Sequence, residues 1–378
     1  MDLTISKKAF LRALGRTHPV ADRKSSMPIL SNILLSTDGS NTLRFAATDL
    51  YLSMSCAAQA EVREQGTISV GARTLFDIVK NLPEGDVTFK VTGNHGAEIR
   101  AGKVRFKLPG MPGQDFPALP SPGNAQFYAL EAEHLGRLIS LTQYSMSSDE
   151  TRPHLAGTLF EGDGKIVRMV TTDGHRLSKA EFRQGEGAPM LNFAMLIPSK
   201  GISELRRMVD EVRGDAKAGD NEAPMISVAT AGGSAFFSHG EVLLSVKLAD
   251  EQFPPYAKVI PTSQSRRIVV SRVLLSEALR RISLVANDKS GSIRFGIEPG
   301  LLKLTSENPD VGEGSEEIDV DFAGEPVEIG FNARYFLDAL SALTEDEVVL
   351  EAGGALDPGV LRPVGPTEFI GVIMPMRI

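Results

Sequence analysis

The chain repeats one pattern of secondary structure three times, and this repeat constrains the fold more than any other feature. An apolar strand that ends in a polar cluster occurs at residues 43–49, 167–173 and 302–308. Each is followed, after a similar interval, by a short strand that runs into an amphipathic helix. Because self-similar sequence folds into self-similar units, and because 378 residues suffice for two or three domains, we expect three tandem modules of one α+β fold.

Each module is expected to contain two helices and a β-sheet. Apolar residues spaced three or four apart indicate helices, and alternation of apolar and polar residues indicates strands, as at residues 104–108. Two helices cannot cover both faces of a large sheet, so we expect the helices on one side. The helices are predicted at residues 6–16, 74–82, 132–142, 200–209, 272–282 and 334–343.

Proline-rich runs separate the modules. They follow Phe116 and Phe253, and runs of this kind are typical of linkers. The predicted domains are residues 1–125, 126–264 and 265–378.

The composition indicates a protein of the cytoplasm. Cys56 is the single cysteine, which excludes an intrachain disulfide and favours a reducing compartment. Residues 1–8 lack the apolar stretch of a signal peptide, and no apolar run is long enough to span a bilayer. No glycine loop of the phosphate-binding or dinucleotide-binding kind occurs. We therefore expect neither a membrane partner nor a cofactor.

Positive charge is concentrated on the predicted helices. The net charge of the chain is −8, but the helices with their first flanking residues carry +8, which leaves −16 for the rest. Lys8, Arg12 and Arg16 recur at intervals of four residues and form a basic stripe on the first helix. Lys and Arg favour helices, but Glu favours them as much. The skew therefore indicates a phosphate-facing surface of the kind that binds DNA without sequence preference.

Residues 171–177, Thr-Thr-Asp-Gly-His-Arg-Leu, allow two interpretations. Asp173 and His175 would suit a hydrolase or a metalloenzyme as an acid–base or metal-binding pair. Against this, the corresponding residues 48–52 contain no histidine, and no second cluster has metal-ligand spacing. The other interpretation is a turn with Asp173 and Gly174 at its tip and Thr172 as its cap. A third hypothesis for the whole chain is a repeat scaffold that binds only proteins.

Residues 171–177, together with Val-Ile-Met-Pro-Met-Arg-Ile at residues 372–378, resemble the family of bacterial DNA polymerase III beta subunits, the sliding clamps. The resemblance covers the chain from end to end and includes residues 27–32, 145–146, 306–309 and 328–332. It implies a DNA-clamp fold in which two three-domain subunits join head to tail as a ring-shaped homodimer. Helices would line a channel for double-stranded DNA, and the protein would be a processivity factor of replication rather than an enzyme.

The resemblance also implies one groove for several partners. In the family this groove receives short peptides with Leu and Phe side chains from the DNA polymerase III alpha subunit, the clamp loader, other polymerases and repair proteins. Methionine, valine and leucine near a chain end suit such adaptable binding, and His175 and Arg176 would form the rim and offer polar contacts. Carried over to this sequence, the groove comprises Leu155, Thr172, Gly174, His175, Arg176, Leu177, Pro254, Val259, Val372, Met374, Pro375, Met376 and Arg377.

Two further surfaces are expected from the charges and the resemblance. The residues expected to face DNA are Lys8, Arg12, Lys24, Arg73, Lys80, Arg137, Lys200, Arg206, Arg280 and Arg281. Opposite charges around an apolar centre suit a contact between subunits. That contact would join Arg100, Lys103, Arg105, Phe106 and Lys107 to Leu284, Val285, Asp310, Glu313, Glu316 and Glu317. Gly312 and Ser315 stand where acids are common in the family, so we expect weaker pairing there.

Overall fold

The computed structural model describes residues 1–22, 24–39, 41–93, 95–149, 151–216, 222–286 and 291–377. The chain forms two compact units, a first unit of Met1–Ala132 with Ser203–Leu248 and a second unit of Glu133–Ile202 with Ala249–Ile378. Both units combine helices with antiparallel sheets. Within these ranges no helix is both long enough and apolar enough to cross a membrane.

The helices of the described residues follow the sequence prediction closely. In chain order they are α1 (Lys7–Thr17), α2 (Ala72–Asn81), α3 (Ala132–Thr142), α4 (Ser199–Asp215), α5 (Arg272–Ile282) and α6 (Ala333–Ala342). The side chains of Ser6, Ser271 and Asn332 cap α1, α5 and α6 by accepting hydrogen bonds from amides of the first turn. The prediction of two helices in each repeat is confirmed.

Helix α4 is longer than predicted. The sequence prediction ends it at residue 209, but it continues to Asp215. The buried side chain of Val212 extends the apolar face of Leu205 and Val209 by one turn, and this keeps the helix packed. The additional turn carries Glu211 and Asp215, which the charge prediction leaves outside the helices.

The strands pair in antiparallel fashion. In chain order they are β1 (Asp2–Ser6), β2 (Asn32–Thr37), β3 (Thr42–Thr48), β4 (Leu52–Gln59), β5 (Glu61–Glu64), β6 (Thr67–Gly71), β7 (Asp86–Thr92), β8 (Gly96–Ala101), β9 (Val104–Pro112), β10 (Tyr128–Glu131), β11 (Gly157–Gly164), β12 (Ile166–Thr172), β13 (Arg176–Arg183), β14 (Leu191–Pro198), β15 (Met225–Ala231), β16 (Ser234–His239), β17 (Val242–Lys247), β18 (Arg266–Ser271), β19 (Ser292–Glu298), β20 (Leu301–Asn308), β21 (Gly312–Asp319), β22 (Val327–Asn332), β23 (Glu347–Ala352), β24 (Gly359–Pro363) and β25 (Glu368–Ile373).

The sheets run across the predicted repeats. The first unit holds a 13-stranded sheet in the order β10-β15-β16-β17-β4-β3-β2-β6-β9-β8-β7-β1-β5. The second unit holds an eight-stranded sheet, β14-β11-β12-β13-β25-β24-β23-β18, and a four-stranded sheet, β21-β20-β19-β22. Because β4 pairs with β17 and β13 with β25, the compact units do not separate the repeats. The domain boundaries near residues 125 and 264 therefore stay a prediction.

Phenylalanine side chains fill the space between helices and sheets. In the first unit α1 packs on α2 and β4, and the ring of Phe10 lies 5.8 Å from Phe45 and 6.2 Å from Phe89. In the second unit α5 packs on α6, and the rings of Phe295 and Phe336 are 4.9 Å apart. Burial of each such side chain contributes about 1.5–3 kcal/mol, so these contacts hold the helices against the sheets. The predicted α+β fold is confirmed.

Candidate functional site

A pocket of about 220 Å³ lies over the pairing of β13 with β25 in the second unit. Leu177 lies directly opposite Val372 in the register, and both pack with Val170 in a buried apolar cluster that forms the floor. The pocket is lined by His154, Leu155, Thr172, Gly174, Arg176, Leu177, Pro254, Tyr256, Val259, Val372 and Met374. The groove predicted from the sequence contains all of these residues except His154 and Tyr256.

Four residues of the predicted groove do not line this pocket: His175, Pro375, Met376 and Arg377. His175 is exposed beside it. The amide of Met376 donates a hydrogen bond to the carbonyl of Gly330 (2.8 Å), so the end of the chain follows the edge of β22. Met374 stays at the pocket because its amide binds the carbonyl of His175 (2.9 Å).

Side-chain hydrogen bonds hold the turn between β12 and β13. Thr172 Oγ1 donates to the carbonyl of Arg176 (2.6 Å) and accepts from the amide of Gly174 (3.1 Å). Asp173 Oδ1 accepts from the amides of His175 (2.9 Å) and Arg176 (3.0 Å). Gly174 has a φ of +92°, which glycine adopts without strain. The interpretation of this segment as a turn is confirmed.

This turn leaves no acid–base pair. The Asp173 carboxylate binds two backbone amides and the guanidinium of Arg176 (3.1 Å), and its hydrogen bond to His175 goes to the backbone rather than the imidazole. In the part of the chain that the structure describes, no group of three His, Cys, Asp or Glu side chains could hold a metal ion. The hypothesis of a hydrolase or metalloenzyme is therefore not favoured.

Arg176 joins the turn to helix α6. Its guanidinium pairs with Asp173 (3.1 Å) and Asp338 (2.6 Å). It also donates to the carbonyl of Tyr144 (2.5 Å) and lies 4.6 Å from the ring centre of Tyr335, a cation–π distance. Its side chain is 10% exposed. These contacts use three of its five N–H donors, so the expectation that Arg176 also offers polar contacts to a bound peptide stays a prediction.

Tyr256 is a pocket residue that the sequence analysis misses. Its hydroxyl donates a hydrogen bond to Glu161 Oε2 (3.0 Å) and lies 3.5 Å from a guanidinium nitrogen of Arg168. Burial, and then the negative charge of Glu161, raise the pKa of Tyr256. The linker interpretation rests on the prolines of this segment. It overlooks the apolar spacing of Phe253, Tyr256 and Ile260, which pack on the pocket floor.

Strand β9 presents an open basic edge in the first unit. Residues 104–109 pair with β8, and β6 joins β9 only at residues 110–112. Phe106 is 40% exposed on this edge. Buried Glu98 of β8 binds Arg105 and Arg100, and these hydrogen bonds hold the pKa of Glu98 below its ordinary value. The predicted edge strand is confirmed, but Glu98 neutralises part of its charge.

Strand β21 is an open acidic edge of the four-stranded sheet in the second unit. Leu284, in the turn after α5 that packs on β21, is 79% exposed. A Cβ atom at Gly314 would lie 2.9 Å from the side chain of Val285, so the backbone of β21 packs directly against the turn at this residue. Glu316 is paired with Arg281 of α5 (2.6 Å). One predicted interface acid and one predicted DNA-facing cation therefore neutralise each other within the chain.

The other predicted DNA-facing cations differ in how freely they could meet a phosphate. Of the predicted DNA-facing cations that the structure describes, Lys8, Lys24, Lys80 and Arg280 are exposed and form no ion pair. Lys200 is exposed as well. Several arginines are held by acids, namely Arg73 by Asp77, Arg137 by Glu345 and Arg206 by Asp210. Arg137 also donates to Thr344 and Thr367, so it is the most engaged of the three.

The basic stripe on α1 is partly neutralised by the additional turn of α4. Arg12 Nε lies 2.9 Å from Glu211, and the same guanidinium pairs with Asp215. Arg16 binds Glu211 at 2.8 Å. The stripe is therefore less available to a phosphate than the sequence predicts. The prediction misses this because it ends α4 at residue 209, before Glu211 and Asp215.

Family profiles match three consecutive parts of the chain. The N-terminal domain of the DNA polymerase III beta subunit matches residues 1–120, its central domain residues 129–255 and its C-terminal domain residues 257–377. The chain belongs to the DNA polymerase III beta subunit family. Among its relatives, the beta sliding clamp of Caulobacter vibrioides is 37% identical over 385 residues and that of Escherichia coli K12 is 32% identical over 382, with 100% of both chains covered in each pair.

Solved sliding clamps have the same fold as this chain. The clamp of Caulobacter crescentus superposes with a TM-score of 0.91 at 34% identity, and a clamp of Bartonella birtlesii bound to griselimycin superposes with a TM-score of 0.90 at 33% identity. Both comparisons cover 100% of each chain. Members of this family are non-catalytic accessory subunits of the polymerase. The family resemblance seen in the sequence is confirmed.

Proposed function

We propose that two copies of this chain close head to tail into a ring around double-stranded DNA, inside the cell, and that the pocket over β13 and β25 tethers polymerases to the ring. The protein is then a processivity factor of replication. The observation that carries the proposal is the presence of two open strand edges of opposite charge, β9 and β21. Strands in the corresponding positions of consecutive repeats pair with each other within the chain, as β4 does with β17 and β13 with β25.

The repeats provide a template for the contact between two copies. In the first repeat, the strand after the polar turn is β4, and it pairs with β17, the last strand of the second repeat. In the second repeat, the strand after the turn is β13, and it pairs with β25, the last strand of the third. By the same rule β21 of the third repeat pairs with β9, the last strand of the first repeat, in a second copy. A head-to-tail contact of this kind closes into a ring when the rotation allows.

The template also predicts the register of this contact. Ser53 lies opposite Ser245, and Leu177 lies opposite Val372. The corresponding residues at the open edges are Glu313 and Lys107, whose opposite charges favour a cross-strand pair.

The neighbouring positions fit the same register. The next pairs are Gly314 opposite Phe106 and Ser315 opposite Arg105. Gly314 leaves the Phe106 ring free to reach Val285 and Leu284. Ser315 lacks the acid common in the family, but Arg105 has Glu98 of its own chain as a partner.

Exposed cations on α1, α2 and α5, together with Lys24 in the loop after α1, support a loose contact with DNA. Lys8, Lys24, Lys80 and Arg280 are exposed lysines and arginines of the kind that bind phosphate oxygens. Contacts to phosphates position a protein on the duplex without reading its sequence, and they permit sliding. We therefore expect binding that weakens with salt and that has no sequence preference.

The pocket supports the tethering of several clients by short peptides. Its floor of Val170, Leu177 and Val372 suits Leu and Phe side chains, and Met374 adapts to different shapes. Burial gains roughly 1.5–3 kcal/mol per apolar side chain, less the cost of ordering the peptide, which gives affinity near the micromolar range. Such affinity allows exchange between the DNA polymerase III alpha subunit, the clamp loader, other polymerases and repair proteins.

One experiment tests the ring. Native mass measurement should give twice the mass of one chain, and the protein should stay on nicked circular DNA but leave the same DNA once it is linearised. The variant with Phe106→Ala and Leu284→Ala should be monomeric and should leave both forms. Equal retention on both forms by the parent chain, or a variant of unchanged dimer mass, would overturn the proposed ring.

A second experiment tests the groove. Deletion of residues 374–378, of which Ile378 lies outside the described residues, should abolish binding of a peptide that carries Leu and Phe. Dimer mass and thermal stability should stay nearly the same. Arg267→Ala, at an exposed residue of β18 outside both the predicted groove and the pocket lining, serves as the control and should bind the peptide as the parent does. Survival of peptide binding after the deletion, or unfolding of the deleted protein, would contradict the assignment of the groove.

A further inference from the structure

We infer that Glu161 and Arg168 are positioning residues of the peptide pocket: they hold the hydroxyl of Tyr256 and thereby fix its ring as one wall. The inference rests on the proposed function of the pocket and names two residues that are not part of its lining.

Tyr256 connects the pocket to the polar contacts beneath it. Its ring lines the pocket and packs over the floor, with Phe253 against it at a centroid distance of 6.4 Å. Its hydroxyl donates to Glu161 (3.0 Å) and is 3.5 Å from Arg168. One side chain thus contributes an apolar surface to the pocket and a hydrogen bond to the sheet.

The two hydrogen-bond partners of the Tyr256 hydroxyl, Glu161 and Arg168, lie on neighbouring strands of the sheet. Glu161 of β11 lies opposite Arg168 of β12, and Arg168 lies opposite Glu181 of β13. Arg168 is 3.7 Å from Glu161 and 3.3 Å from Glu181, and Lys179 binds Glu181 at 2.8 Å. All four side chains are between 18% and 24% exposed. Each charge of this partly buried row has a neighbour of opposite sign on the adjoining strand or on its own strand, so the strands hold Glu161 and Arg168 in place beside the Tyr256 hydroxyl.

The segment that carries Tyr256 needs such a support. Between Phe253 and Ile260 it contains no strand, and its regular structure is the single short turn Tyr256–Lys258. A wall built on an irregular segment costs affinity if it must be ordered when the peptide binds, and holding it in place beforehand removes that cost. The contact with Glu161 and Arg168 supplies this preorganisation.

Binding of a fluorescein-labelled hexapeptide that carries one Leu and one Phe tests the inference in the full-length chain. Tyr256→Phe keeps the ring and removes the hydroxyl, and it should weaken binding about fivefold, the equivalent of one net hydrogen bond. Glu161→Ala should weaken binding to a similar extent. Asp163→Asn is the matched control, because Asp163 lies two residues along the same strand and is exposed, and it should bind as the parent does.

A double-mutant cycle separates positioning from a general loss of stability. If Glu161 acts through the hydroxyl, Glu161→Ala should change the dissociation constant by less than about twofold in the Tyr256→Phe background. An equal loss in both backgrounds would overturn the inference. Unchanged binding of Tyr256→Phe beside a parent that binds would overturn it alone, whereas a parent that binds no peptide would overturn the proposed function together with it.

The ionisation of the phenol gives a readout that does not depend on the peptide. The chain has no tryptophan and five tyrosines, so alkaline absorbance titration of the parent and of Tyr256→Phe yields the titration of Tyr256 by difference. Glu161→Gln removes the negative charge beside the phenol and should move its pKa down, towards the ordinary value. If Glu161→Gln does not change the pKa of Tyr256, the contact between the two side chains is overturned.

Discussion

At the scale of single residues, a turn of the same construction occurs in two repeats. Thr48 Oγ1 donates to the carbonyl of Leu52 (2.9 Å) and accepts from the amide of Leu50 (3.0 Å), as Thr172 does in the second repeat. Where the second repeat has Gly174, the first has Leu50 with a φ of +76°. Leucine rarely adopts this conformation, and it is strained there. Because Leu50 is 51% exposed, packing offsets little of the strain.

Replacement of Leu50 tests this strain. Leu50→Gly should leave the free energy of unfolding unchanged or raise it by up to about 1 kcal/mol, since glycine adopts positive φ freely. Tyr51→Gly is the control, because Tyr51 is also exposed but has no positive φ, and it should lower the value by roughly 0.5–1 kcal/mol. Urea unfolding measures both. A greater loss for Leu50→Gly than for Tyr51→Gly would show that the turn is not strained.

Arg176 gives a second prediction at this scale. Arg176→Lys keeps the charge but cannot bind Asp173, Asp338 and the Tyr144 carbonyl at once, so we expect a loss of about 1–3 kcal/mol in stability. Arg334→Lys is the control, because Arg334 is 82% exposed and 4.0 Å from the same Asp338. Thermal unfolding compares the two variants. Similar midpoints for both would mean that Arg176 does not join the turn to α6.

Sequence reasoning finds contacts between residues that are close in the sequence and misses contacts between residues that are far apart in it. The turn at Asp173 follows from neighbouring positions in the chain, whereas Leu177 and Val372 of the floor are expected only from the family resemblance. The contact of Arg176 with Asp338 spans 162 residues, and that of Tyr256 with Glu161 spans 95. No local pattern reports such pairs. Local pattern therefore predicts the turn, the family resemblance implies the groove residues beside it, and neither gives the contacts of Arg176 and Tyr256 that support the pocket.

At the scale of elements, the last turn of α4 changes the charge of α1. Burial alone would raise the pKa of Glu211, but hydrogen bonds from Arg16 and Arg12 outweigh it and hold the pKa below its ordinary value. The carboxylates of Glu211 and Asp215 are bound to the guanidinium groups of Arg12 and Arg16, which the proposed function assigns to phosphates. In the proposed complex with DNA, helix α4 would therefore compete with phosphates for the basic stripe of α1.

Removal of the two competing charges should strengthen DNA association. The variant with Glu211→Gln and Asp215→Asn frees Arg12 and Arg16, so we expect tighter binding and a steeper salt dependence, by about one unit of log K per log salt for each cation released. Fluorescence anisotropy with a labelled duplex over a series of salt concentrations measures both.

A matched variant separates this local effect from net charge. Glu186→Gln with Glu241→Gln removes the same charge from two exposed positions without an ion pair among the described residues. We expect its binding curve to stay close to that of the parent. An equal gain in both variants would indicate that net charge alone decides the affinity.

The elements themselves are predictable to different degrees. Helix positions follow from apolar spacing, and five of the six agree with the prediction to within two residues. The sequence does not predict the last turn of α4, because Val212 is the only apolar residue among residues 210–215. The pairing of β4 with β17 and of β13 with β25 joins strands far apart in sequence, and strand alternation carries no information about the partner.

At the scale of the whole molecule, the predicted register between two copies can be tested by disulfide formation. Opposite residues of an antiparallel pair have Cα atoms about 4.5–5.5 Å apart, within the range that a disulfide spans. Ser315→Cys with Arg105→Cys, in a Cys56→Ser background, should therefore give covalently linked dimers under mild oxidation. Burial raises the pKa of the Cys56 thiol to about 12, so the native cysteine contributes little even where it is kept.

The control shifts one cysteine by a single position. Ser315→Cys with Phe106→Cys places the two thiols on opposite faces of the joined sheet, because successive side chains of a strand alternate. We expect little cross-linking from this pair on a non-reducing gel. More cross-linking in the control than in the test pair would mean that the two edges meet in another register.

The two equivalent turns differ in what lies beneath them. Leu177 and Val372 form an apolar floor in the second unit, whereas buried Ser53 and Ser245 hold the matching positions in the first. A leucine or phenylalanine side chain gains nothing over serine hydroxyls, so of these two junctions one can hold a client. The proposed ring of two chains would then have two such places for all of its clients. Clients of the proposed ring would compete for these places by local concentration and affinity together, so the successor of a departing polymerase would be the client for which the two combined are greatest.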